Sequence, residues 1–152
     1  MKSFSCPKRL LFFAGCLSMA VAVFQAVISF SPAWSLYFGA PAEIVSNRWL
    51  LLVSGLIAAI IFGIWGLYGF SGAGFLQRLF LLRLGLVSIS VLYILRGVFV
   101  LPQLLAYWGF FRSSLGCTLQ DIISSSISLT IGLIFAIGTL GTWRDLSSEK
   151  DV

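Results

Sequence analysis

RLFLLRLGLVSISVLYILRGVFVLP, residues 78–102, is the stretch whose reading decides the fold. It is long enough to cross a bilayer, which takes about 20 apolar residues. It nevertheless carries Arg83 near one end and Arg96 well inside the other. A charge at that depth is costly and persists only where something meets it. The run therefore reads as a transmembrane helix with unusual electrostatic demands.

The composition agrees with a membrane class. Of 152 residues, 59% are hydrophobic and 10% charged, and the mean hydropathy is +1.04. A soluble domain of this size carries roughly a quarter charged residues. The length suits one domain, residues 1–152. The net charge of +5 does not point to nucleic acid, because the basic residues flank apolar runs instead of forming a polar patch.

Outward from residues 78–102, three more apolar runs follow the same logic. Residues 10–30 form the first span, with Ser18, Ala22 and Ala26 at fourfold spacing. Lys2, Lys8 and Arg9 before it resemble the start of a signal peptide, but about 21 apolar residues exceed an ordinary signal core of roughly 7–15. An uncleaved helix is expected. Residues 49–68 form the second span, carrying Gly55, Ala59 and Gly63, with Gly66 and Gly69 close by. The third is residues 79–101, ended by Pro102. The fourth is residues 122–143, with Ser124, Ser128, Gly132 and Ala136 as its small-residue stripe. Such stripes let helices approach closely in lipid.

Between the spans, residues 31–47 hold Pro32, Gly39 and Pro41, which break regular structure, and Trp34, Tyr37 and Phe38, which suit an aromatic belt. Residues 70–77 are a glycine-rich connection without the lysine of a phosphate loop. Residues 103–115 suggest an apolar segment lying in the interface. The expected fold is all-α: an integral membrane four-helix up-down bundle. Lys2, Lys8, Arg9, Arg78, Arg83, Arg144 and Lys150 fall on one side, and Arg48 and Arg112 on the other. This asymmetry places both termini in the cytoplasm.

Arg96 lies about five residues from the far end of its helix, roughly 8 Å below the interface. Glu43, Arg48, Arg112 and Asp121 fall at that same level, and Tyr93 is one turn from Arg96. Two readings compete. Arg96 binds an anionic headgroup or solute, tuned by Asp121 or Glu43; or it is a structural ion pair or a snorkelling side chain. Asp121, standing before Ile122, is placed to cap the fourth span. Arg83 reads as a flank charge facing anionic lipid.

Catalysis is poorly supported. There is no histidine, so the commonest general base and metal ligand is missing. Cys6, Cys16 and Cys117 are far apart, with Cys16 expected buried, and make no metal or dithiol set. The serines of residues 123–128 have no base to activate them and are expected to bond the preceding turn's carbonyls or a neighbouring helix. No cofactor motif is present.

The segment WGLYGFSGAGFLQRLFLLRLGLVSISVLYILRG, residues 65–97, resembles small four-span inner-membrane proteins of bacteria that have no assigned activity. Its most distinctive part holds Tyr68, residues 71–74, Arg83, Arg96 and Gly97. The resemblance implies a bacterial plasma (inner) membrane location and carries over no site residues.

The favoured expectation is a multi-pass structural or accessory protein that self-associates or joins a membrane complex, motivated by the number of small-residue stripes. The alternative is a small transporter or a lipid- or anionic-solute-binding protein using a pocket around Arg96. A lipid-modifying enzyme acting through Asp121, Glu43 and Tyr93 is the weakest of the three.

Overall fold

The structure, a computed structural model, describes residues 6–77, 79–98, 101 and 119–143. Every regular element among them is helical: α1 (Cys6–Ser29), α2 (Pro32–Tyr37), α3 (Ala42–Ser46), α4 (Arg48–Gly72), α5 (Leu82–Val98) and α6 (Leu119–Gly141). The segment 103–115, read as interfacial, lies outside the described residues.

Among the described residues, three helices are long and apolar enough to cross a membrane: α1, α4 and the Ile122–Gly141 part of α6. Only 33%, 22% and 39% of their apolar windows is buried inside the chain. The rest presents Val, Ile, Leu and Phe side chains outward, far more exposed apolar surface than a soluble monomer tolerates. Lipid is the solvent that removes this penalty. The described part of α5 has 17 residues, about 26 Å at 1.5 Å per residue.

The helix boundaries depart from the sequence reading in instructive ways. α1 starts at Cys6 rather than residue 10. Pro7 is tolerated in its first turn because an N–H there has no helical partner to lose. α4 runs through Gly66 and Gly69 to Gly72 instead of ending near residue 68. In lipid the backbone gains by staying helical, since no water satisfies a broken ladder. The stop comes at Gly74, whose φ is +80°. Its N–H bonds the Ser71 carbonyl and that of Phe75 bonds Phe70, the paired closure of a left-handed C-terminal cap.

Residues 31–47 are not irregular. Pro32 opens α2 and Pro41 caps α3, with Gly39 at φ +87° between them. Proline and glycine here delimit two short helices rather than prevent them. Ser35 Oγ donates to the Ile28 carbonyl at 2.8 Å, and the Phe38 ring meets Phe24 edge-on at 5.0 Å. Both contacts fold this segment back over the end of α1.

The long helices associate as two close pairs. α1 lies on α4, where a Cβ on Gly69 would stand 2.7 Å from Gly15 Cα and one on Gly55 would overlap Ser29 Oγ. α5 lies on α6, with Gly97 against Leu129 and Gly132 against Ile94. Ties between the pairs lie toward the chain's N-terminal end and in the middle. Pro7 meets Gly141, Leu11 meets Gly138, and Leu86 meets Gly72. In the middle, Tyr93 is the hub. Its ring lies 4.9 Å from Trp65, 6.1 Å from Phe62 and 6.1 Å from Phe135.

Candidate functional site

Beyond Tyr93, toward the α2–α3 end, the bundle holds a cavity of about 360 Å³. α1 contributes Gln25, Ile28 and Ser29; α2 and the following turn contribute Ser35, Phe38, Gly39 and Ala40. α3 adds Ile44. α4 adds Leu51, Ser54, Gly55, Ala58 and Phe62, and α5 adds Arg96. Arg96 is the charged residue among the described lining.

The polar walls follow from local chemistry. Ser29 Oγ donates to the Gln25 carbonyl at 2.6 Å, Ser35 Oγ to Ile28 at 2.8 Å, and Ser54 Oγ to Leu51 at 3.2 Å. Each hydroxyl gives its proton to its own or a neighbouring helix turn, as hydroxyls in membrane helices commonly do. Each keeps lone pairs that can accept. The Gln25 side-chain amide makes no hydrogen bond among the described residues, so both its donors and its carbonyl are available to whatever occupies the space.

The five residues singled out from the sequence are only partly brought together. Arg96 lines the cavity and is exposed. Tyr93, one turn away, is rotated into the core: it is 2% exposed and its hydroxyl lies 3.1 Å from Ser18 Oγ. Glu43 and Arg48 are exposed and absent from the described lining. No ion pair joins Arg96, Glu43 and Arg48 among the described residues. Asp121 is the third residue of α6, inside its first turn rather than ahead of it. Its side chain lies outside the described residues, as does Arg112. Capping by a residue before the helix is instead seen at Asn47, whose Oδ1 accepts from the Trp49 and Leu50 N–H groups at 3.1 and 3.3 Å.

Gln25, Ser29, Ser35 and Ser54 were not singled out from the sequence. Gln25 left a legible signal, being an amide within an otherwise apolar run. The serines left none, because small polar residues are ordinary in membrane helices.

Arg83 is not simply a lipid-facing flank. Its Nη2 donates to the Trp143 carbonyl at 3.1 Å and its guanidinium lies 4.8 Å from the centre of the Trp143 ring. Cys16, expected buried, is exposed on the outer face of α1. Ser126 and Ser128 donate to the carbonyls of Ile122 and Ser124, which is the back-bonding expected of them. No group of three or more His, Cys, Asp or Glu that would hold a metal occurs among the described residues.

No family model, curated protein or solved structure matches the chain. The site offers one cation, an unengaged amide and several hydroxyl acceptors around a mixed polar and apolar space.

Proposed function

We propose that the chain is a four-span membrane protein that binds an anionic group in the cavity at its α2–α3 end. In this reading α5 continues as the fourth span and the helices run up and down. The termini lie on the cytoplasmic side of a bacterial plasma membrane, and the cavity opens in the outer leaflet. The basic residues clustered toward the other end support that orientation. The observation that carries the function is Arg96 on the wall of a 360 Å³ cavity with no acid among its described lining. A cation held at membrane depth without a carboxylate beside it is matched by an anion from outside the chain. The test is binding of inorganic phosphate and sulfate to the purified protein in detergent. Wild type should bind in an Arg96-dependent way, whereas equal binding by Arg96→Leu would remove the reading.

The accessory-subunit reading draws on one specific feature. Most span glycines are used inside the chain, so the stripes do not by themselves call for a partner. Gly63 differs: a Cβ there would meet nothing within 4 Å. It lies on α4, the least buried of the three crossing-length helices, beside the exposed Ile60, Ile64 and Leu67. If this face carries a partner helix, Gly63→Leu should abolish cross-linked species seen with wild type in native membranes. Monomer alone from wild type would dispose of it.

A further inference from the structure

We propose that the cavity takes the headgroup of a membrane phospholipid: a phosphodiester that also carries hydrogen-bond donors, such as an ethanolamine or glycerol headgroup. This rests on the anion-site reading above and narrows it by charge, hydrogen-bond inventory, polarity and size.

The charge comes first. Arg96 brings one positive charge, and no other described lining residue is ionised. A phosphodiester, with one negative charge, is neutralised by it. The guanidinium fork also matches two phosphate oxygens.

The hydrogen-bond inventory adds a second requirement. Ser35 and Ser54 have given their protons to the Ile28 and Leu51 carbonyls. What they present to an occupant is lone pairs. Gln25 adds a carbonyl of its own. Acceptors therefore outnumber what a bare anion can use, since an anion only accepts. An ammonium or hydroxyl beside the phosphate supplies the missing donors, and a quaternary ammonium does not.

Polarity runs along the cavity. On α4, the lining runs from Leu51 through Ser54, Gly55 and Ala58 to Phe62, about 16 Å toward the middle of the bundle at 1.5 Å per residue. Ser54 thus lies toward the headgroup level, beside the apolar Leu51, and Phe62 toward the acyl level, an orientation that suits an amphiphile standing along the bilayer normal. The volume, 360 Å³, lies near the low end for ligand pockets, about 300–1,000 Å³. It admits a headgroup and its glycerol but not two acyl chains. The chains must lie in lipid, reached beside the exposed Arg96.

The experiment titrates full-length protein in detergent micelles with dihexanoyl phosphatidylethanolamine and dihexanoyl phosphatidylglycerol, read by native mass spectrometry. Comparators are dihexanoyl phosphatidylcholine, which has no headgroup donor, soluble glycerophosphoethanolamine, and inorganic phosphate. The ethanolamine and glycerol lipids should bind at least about tenfold more tightly than the choline lipid, the effect of one lost hydrogen bond to a buried polar group. Arg96→Leu should weaken all lipids. Ser54→Ala should weaken the ethanolamine lipid and leave the choline lipid unchanged. Should Arg96→Leu not fold, Arg96→Lys keeps the charge, loses the fork, and should bind with intermediate affinity.

Equal affinity for choline and ethanolamine lipids, or no selective effect of Ser54→Ala, overturns the donor requirement while leaving an Arg96 anion site standing. Glycerophosphoethanolamine or phosphate binding as tightly as the short-chain lipid overturns the lipid source and assigns the cavity to a free solute. Binding of every probe unaffected at Arg96 removes both this proposal and the anion site.

Discussion

Arg83 reaches across to the end of α6, where its guanidinium donates to the Trp143 main-chain carbonyl at 3.1 Å and stands 4.8 Å from the centre of the Trp143 ring. Trp143 stands two residues beyond Gly141, the last residue of α6. A cation there satisfies the backbone and meets the ring quadrupole at once. Replacing Arg83 by Leu should lower stability by about 1–2 kcal/mol, the scale of a charged hydrogen bond plus a ring contact. Lysine should recover part of it. The readout is unfolding by increasing SDS mole fraction, with Trp143 fluorescence reporting local release. No change on Arg83→Leu would return the residue to the role of a lipid-facing flank.

The Ser18–Tyr93 contact joins the two helix pairs at 3.1 Å inside the core. Polar bonds between membrane helices are worth modest amounts, because unfolded helices in lipid also find partners. Tyr93→Phe keeps the ring contacts with Phe62, Trp65 and Phe135, and should cost about 0.6 kcal/mol, at most about 1.7. Ser18→Ala should cost a similar amount. The double variant should cost no more than either alone, and a double-variant cycle checks this.

Glycines of the same helix should respond oppositely to alanine. At Gly69 the added methyl would meet the Gly15 backbone at 2.7 Å, and backbone does not step aside cheaply. Gly69→Ala should separate α1 from α4 and destabilise by about 1–3 kcal/mol, the range for overpacking. At Gly63 there is open space, so Gly63→Ala should be neutral or stabilise by up to about 1 kcal/mol through helix propensity. Equal effects at both positions would mean that the α1–α4 contact is looser than described.

Leu81 ends the connection between α4 and α5 at φ +53°, a left-handed conformation that costs a residue with a Cβ roughly 1–2 kcal/mol. It is 56% exposed, so little packing is lost with its side chain. The neighbouring backbone is held in place by Tyr68 Oη donating to the Phe80 carbonyl at 3.1 Å and by Leu79 N–H donating to Ser71 Oγ at 3.1 Å. Leu81→Gly should therefore raise the thermal midpoint, and Leu81→Val should lower it. A drop with glycine would show that the side chain, rather than the backbone, sets this turn.

The membrane class, the all-helical fold and the approximate place of each long helix were determined by the sequence alone. Apolar runs of about 20 residues have few alternatives in lipid, and their lengths are a local property. Arg96 was legible as a site candidate for the same reason, since a charge within an apolar run declares itself. Only the tertiary structure decided which way each helix is turned. It put Tyr93 against Ser18 rather than beside Arg96, brought Gln25 and Ser54 to one cavity, and set Arg83 on Trp143. In water, a helix announces its inner face by a stripe of apolar residues among polar ones. In lipid both faces are apolar, so that stripe is nearly absent, and the inward side is chosen by glycine clearances and single hydrogen bonds between residues far apart in the chain.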